Sequence, residues 1–356
     1  MTPYFLIYLL SYFNIIQERL FTKKTSIVVS FIFLILLILF AGTRNEVGGD
    51  WNNYYNFFTS FETKGFKILK NDFLFFFINY VFYNLGLNIF FLNTFTALIS
   101  ILLIIKYSES FYNPKLAILI SIPYIIIVVL MGYNRQGIAL CVLMFSINYF
   151  KEKKYFQFIL LVITASLFHY ASLFYLLFVL IFIKNKLKLL INLILFSFLI
   201  ILSLFIFQYD YYLFRIFNFF NTKYYWYVSD GNYFASTGIY YRLLINLVPA
   251  IILIIFYQKF DSNKNEKKLY LVFSLLTILV LPVASLGTTF VDRLFIFLYP
   301  LQLYVYSNYN YYITKRSHNI FIFLLFIFYF IILYVYLVFG LYSSEWVPYK
   351  SILFDG

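Results

Sequence analysis

The sequence predicts an all-α, polytopic integral membrane protein of about twelve transmembrane helices, with interfacial helices in its external loops. Three observations carry this expectation. Of 356 residues, 63% are hydrophobic and only 12% charged, with a mean hydropathy of +0.86, which is more apolar surface than a soluble domain of that length can bury. Apolar runs recur at lengths near the ~20 residues that carry a helix across ~30 Å of hydrocarbon. The alternating ten-residue pattern of a membrane barrel is missing, which leaves helices to satisfy the backbone in lipid. Residues 1–356 read as one transmembrane helical domain, with external loops 44–87 and 208–237 forming its active side.

In chain order, Met1–Ile16 lacks a basic start and a small-residue cleavage site, so it is expected to be an anchor rather than a cleaved leader. The expected helices are Thr2–Ile16, Ile27–Thr43, Asn88–Ile105, Leu116–Gly132, Gly137–Phe150, Tyr155–Phe168, Tyr170–Ile183, Leu189–Phe207, Gly238–Tyr257, Leu269–Leu286, Leu294–Tyr312 and Asn319–Gly340. Several are shorter than a full span, which a membrane accommodates by local thinning. Alternate connections carry 17 of the 27 basic residues and five of the 14 acidic ones, in clusters such as Lys151, Lys153, Lys154 and Lys184, Lys186, Lys188. The positive-inside rule makes that side cytoplasmic and puts both termini outside. The net charge of +13 is then mostly a topology signal, which argues against a nucleic-acid partner. One cysteine, Cys141, in an apolar run excludes an intrachain disulfide or a thiolate metal cluster.

The cytoplasmic connections are short, and none carries a Walker A or GxGxxG pattern for a nucleotide. Chemistry is therefore expected on the outer side. Asp72–Leu85 is too short and aromatic for a confident span and is placed as an interfacial helix. Charged or titratable residues stand at the outer helix junctions: Arg44, Asp50, Arg135, His169, Arg215, Arg242, Asp292 and Arg293. Each costs a few kcal/mol below the headgroups, so a shared polar cavity is expected. Guanidinium groups pair bidentately with phosphate oxygens and stay charged at depth, which suits a diphosphate. The competing reading is snorkelling to headgroups or pairing with a carboxylate, the better reading for adjacent Asp292 and Arg293.

His169 or Asp50 is the candidate base, since either can take a proton from an attacking hydroxyl. A lone membrane histidine also serves as a helix-packing donor, and Asp50 also fits an Asx turn or an ion pair with Arg44. No Asp-x-Asp, HExxH or GxSxG pattern occurs. A protein-held divalent metal is not expected, nor is any other cofactor. Arginines can stabilise a departing diphosphate in a metal's place.

Four stretches, GTRNEVGGDWNNYYNFF (Gly42–Phe58), NRQGIAL (Asn134–Leu140), SLFHYASLFYL (Ser166–Leu176) and the pair Asp292–Arg293, together resemble the EpsG/Wzy group of bacterial polysaccharide polymerases. That group shows Arg-Tyr-x-x-Gly-x-Asp-x-x-x-Tyr, an Arg-Gln opening a helix and a His-Tyr/Phe-Ser element. This chain departs from it with Asn45 in place of an aromatic residue and Trp51 directly after the aspartate. The resemblance implies a metal-independent glycosyltransferase of the bacterial inner membrane, joining undecaprenyl-diphosphate-linked repeats into O-antigen, capsule or exopolysaccharide on the periplasmic side. In that reading Arg44, Arg135, Arg242 and Arg293 bind diphosphate, His169 or Asp50 is catalytic, and Arg215, Asp292 and Tyr54 are further substrate contacts. Expected partners are lipid-linked glycan as donor and acceptor, membrane lipids, a chain-length regulator and a flippase. Two other classes share the features, an O-antigen ligase-like transferase and a lipid-linked glycan flippase. The flippase would want charges lining both halves of a central path.

Overall fold

A computed structural model describes residues 1–64, 72–182, 238–286 and 288–354. Among the described residues all regular structure is helical, apart from one isolated bridge between Arg44 and Ser351. Contacts divide the chain into two compact units, one comprising Met1–Leu173 with Tyr306–Gly356, the other Phe174–Val305.

The first unit holds α1 (Thr2–Leu20), α2 (Lys23–Gly42), α3 (Trp51–Thr59), α4 (Phe61–Lys64), α5 (Phe73–Asn84), α6 (Ile89–Ser108), α7 (Pro114–Ser121), α8 (Asn134–Lys151) and α9 (Tyr155–Phe168). The second holds α10 (Ile239–Ile255), α11 (Lys264–Val280) and α12 (Thr288–Phe295); α13 (Pro300–Ser307) carries the chain back to the first unit, which α14 (His318–Phe339) completes. Local signals start several of them. Asn88 accepts from the amides of Phe90 and Phe91 at the head of α6, and Asn113 accepts from Leu116 ahead of Pro114 at the head of α7, each satisfying an amide the helix cannot.

Among the described residues three helices are long and apolar enough to cross a membrane, namely Lys23–Gly42, Ile89–Ser108 and Lys315–Phe339, and five further apolar helices are shorter. The expected helix at Leu189–Phe207 and the loop 208–237 lie outside the described residues. Three expected helices are subdivided, Leu269–Leu286 becoming the end of α11 and a 3-10 stretch at Leu281–Leu286 with Pro282 near its start. Leu116–Gly132 becomes α7 followed by a π-helical stretch, Ile122–Leu130, with Pro123 near its start; a proline removes one amide and crowds the preceding turn. Leu294–Tyr312 becomes the end of α12, a 3-10 turn at Ile296–Leu298 and α13 opening on Pro300, for the same reason.

The outer faces are apolar. On α14, Ile320, Phe323, Leu324, Ile331, Val335 and Phe339 are exposed, while Ile322, Leu325, Tyr329, Leu333 and Leu337 pack inward. Polar side chains such as Asn14, Gln17, Asn93, Ser100, Ser121 and Ser146 are buried instead. An exposed apolar face of this extent is untenable in water and ordinary in lipid.

Within the first unit the helix ends sort into two sets. Lys115 Nζ reaches Glu18 at 2.9 Å and Gln17 Nε2 donates to Ser30 Oγ at 3.1 Å. Asn148 donates to the Lys106 carbonyl, Lys151 donates to Ser110, and the Asn113 amide donates to the Ser307 carbonyl. The basic connections Arg19–Lys24, Lys106–Lys115, Lys151–Lys154 and Lys315–Arg316 therefore share one end. The opposite end gathers Arg44, Asp50, Asp72, Arg135 and His169, through the contacts described next.

Candidate functional site

The loop Thr43–Asp50 is built by the chain's tail. The Asn45 amide donates to the Lys350 carbonyl, the Gly48 amide to Glu345, and the Ile352 amide to Thr43, while Lys350 pairs with Glu46 at 2.5 Å. Tyr4 and Tyr349 donate to the carbonyls of Trp346 and Phe40 at 2.6 and 2.7 Å. Gly48 turns the loop at φ 111°, and a Cβ there would sit 2.6 Å from the Met131 carbonyl oxygen. Only a residue lacking Cβ meets both demands. Gly48→Ala is expected to lower stability by about 1–3 kcal/mol, read as an earlier unfolding transition of the detergent-solubilised chain; an unchanged transition would show that the turn relaxes freely.

Arg44 lies inside this loop, 2% exposed, with Nη1 donating to the Ala41 carbonyl and Cζ 5.8 Å from the Trp51 ring centre. Burial pulls its guanidinium down to about 10, opposed by the neighbouring phenols of Tyr349, Tyr54 and Tyr4. Among the described residues its Nε has no hydrogen-bond partner and no carboxylate lies within ion-pair distance. Asp50 is half-buried and accepts from Asn53 Nδ2 at 3.3 Å, so the expected alternative of an Arg44–Asp50 ion pair is not formed. The Asp50 amide donates to the Gly132 carbonyl at 3.3 Å, which ties α3 to the turn ahead of α8.

That turn delivers Arg135. The π-helical stretch ends at Leu130, α8 begins at Asn134, and Gly137 lets the two backbones meet, since a Cβ there would stand 2.6 Å from Leu130 Cα. Asn134 Nδ2 donates to Asn93 Oδ1 at 3.1 Å, fixing the head of α8 to α6. Arg135 then extends to Asp72, with Nη1 to Oδ2 at 2.7 Å. Its guanidinium also hydrogen-bonds Tyr54 and lies 5.8 and 5.6 Å from the ring centres of Tyr54 and Phe76, a cation against aromatic faces. Burial raises the Tyr54 phenol, with the Arg135 charge opposing, so Tyr54 stays neutral while it accepts from the guanidinium. The Arg135 side chain keeps 29% of its surface exposed, and among the described residues its buried Nε has no hydrogen-bond partner.

Asp72 is the residue that sequence reasoning missed. It precedes α5 in a left-handed conformation at φ 49°, with a side chain only 1% exposed. His169 Nδ1 is 3.9 Å from the same Oδ2 that Arg135 holds. His169 terminates α9 in extended conformation, its amide donating to the Ala165 carbonyl, and its ring is nearly buried beside Tyr170. One carboxylate thus joins a guanidinium and an imidazole. The signal available in the sequence was the lone charge at the head of the aromatic run Asp72–Leu85.

In the second unit Arg242 forms a two-pronged pair with Asp292, Nε to Oδ1 at 2.6 Å and Nη2 to Oδ2 at 2.7 Å. Gly238 makes room for it, since a Cβ there would lie 2.9 Å from Arg242 Nη1. Arg293 follows Asp292 on α12, half-buried. Arg215 lies outside the described residues. The structure therefore brings Arg135, Tyr54 and His169 together with Asp72, leaves Arg44 and Asp50 in the adjoining loop, and pairs Arg242 with Asp292.

A scan against protein-family models matches the EpsG family over residues 26–351. No curated protein and no solved structure matches the chain.

Proposed function

The chain belongs to the EpsG family, which is associated with polysaccharide polymerisation, and on that premise we propose that it is a metal-independent glycosyltransferase extending undecaprenyl-diphosphate-linked repeats. It works in this reading at the periplasmic face of a bacterial inner membrane, about twelve helices threading the bilayer with the lysine-rich connections inside. The observation that carries the proposal is the joining of Arg135 and His169 through Asp72, at the end of the unit opposite the basic connections. A cation open on one edge and a titratable ring meet there against aromatic walls.

The donor's diphosphate takes the open edge of Arg135, where charge-assisted hydrogen bonds are strongest. The acceptor hydroxyl attacks the anomeric carbon, its proton passes to His169 Nε2, and the bond from that carbon to the diphosphate oxygen breaks, leaving its electron pair on the departing lipid diphosphate. Arg135 stabilises that charge as it develops. Asp50 remains the alternative base. Arg44 acts from within the loop that positions Tyr54, and Arg242 and Arg293 are proposed as diphosphate contacts of the second unit.

Deleting the gene from its host and restoring it in trans tests the reading. Single capped repeats in the deletion strain support a polymerase. Unattached long chains would instead indicate the ligase-like transferase, and loss of all external glycan the flippase.

A further inference from the structure

We propose that Asp72 is the positioning residue of His169, holding the imidazole with its proton on Nδ1 so that Nε2 faces the acceptor hydroxyl as a base. The inference rests on the reading of His169 as that base and names the group that makes it one.

The geometry gives Asp72 two partners for one oxygen. Oδ2 accepts from Arg135 Nη1 at 2.7 Å and stands 3.9 Å from His169 Nδ1. The first is a hydrogen bond and the second is an ion-pair distance about 1 Å too long for one. A diphosphate drawing on the Arg135 fork would weaken its hold on Asp72, so the carboxylate can close on Nδ1 when donor is bound. Catalytic hydrogen bonds are commonly loose before substrate arrives and tighten afterwards. A carboxylate on one ring nitrogen sets the tautomer and raises the basicity of the other. Among the described residues, the other charged and titratable groups at this cluster include Arg135, Tyr54 against its guanidinium, Tyr170 beside the imidazole, and Asp50, whose charge Arg135 and Tyr54 both feel. Arg135 lowers the basicity of the ring, and Asp72, whose Oδ2 lies 3.9 Å from Nδ1, raises it.

The test uses the full chain in vesicles with lipid-linked repeats, and reads rate against pH for wild type, His169→Gln, Asp72→Asn and Asp72→Glu. Wild type is expected to gain rate as pH rises through the imidazole's titration. A neighbouring carboxylate favours the imidazolium, so removing its charge in Asp72→Asn lowers the ring's pKa and moves that rise to lower pH by about one unit. The plateau rate falls about ten- to a hundred-fold with KM little changed, and Asp72→Glu recovers part of it. A rise that stays in place while the rate drops equally at every pH overturns the inference. If His169→Gln keeps both the rate and the rise, the base assignment itself fails, which is a separate result read without touching Asp72.

A spectroscopic measurement covers the case in which Asp72→Asn does not fold. The chain has two histidines, and His318, which sits at the basic end with Nε2 against the Ile313 carbonyl, can be removed as His318→Gln. The 15N spectrum of the remaining imidazole, with undecaprenyl diphosphate added, then reports His169 alone. A neutral ring protonated on Nδ1 supports the inference, and one protonated on Nε2 overturns it.

Discussion

Arg135→Lys is expected to cut chain extension about 100- to 1,000-fold while the protein reaches the membrane in unchanged amount. Arg135 is asked to do two things at once: hold Asp72 through Nη1 at 2.7 Å and meet a second anion on its remaining edge. A planar guanidinium with five fixed donors can do both, whereas an ammonium is a point charge with no second edge. Losing one well-placed donor to developing charge costs about 3–4 kcal/mol of transition-state stabilisation, which is the fold-change stated. Glycan length on a gel, beside an immunoblot of the membrane fraction, reads both quantities. Long chains at wild-type abundance in the lysine variant would discard the diphosphate role.

The second large effect is at His169. Glutamine keeps a comparable size and hydrogen-bonding capacity but does not titrate, so His169→Gln removes proton transfer with the least disturbance to the end of α9. General-base catalysis contributes about 10²- to 10⁴-fold, and the turnover number should fall by that factor with donor affinity retained. Asp50→Asn is the control. Asp50 is half-buried and held by Asn53, and if its variant loses the activity while His169→Gln keeps it, the two roles exchange.

The residues of the site were legible to different degrees. Arg135 and His169 stood out because each is an isolated charge or ring beside apolar sequence, and that is a local property. Arg44 stood out for the same reason, yet its environment did not follow from it. Nothing near Arg44 in sequence says that Tyr349, more than 300 residues on, helps to enclose it, because the tail that covers the loop is bound by backbone hydrogen bonds that any sequence can supply. Asp72 was overlooked because its carboxylate heads an amphipathic aromatic run that also suits a surface helix. Its partners are 63 and 97 residues away.

Composition by itself determined that this chain is helical and apolar outward, since the free energy of placing a segment in lipid depends on its own side chains and its own backbone hydrogen bonds. It also marked which connections carry the basic residues. Only the tertiary structure decided that Arg135 and His169 share one carboxylate, that Arg242 is paired and that Arg44 is enclosed. Those are Coulombic and packing choices among groups distant in the chain, made at a few ångströms, and no local pattern encodes such a distance.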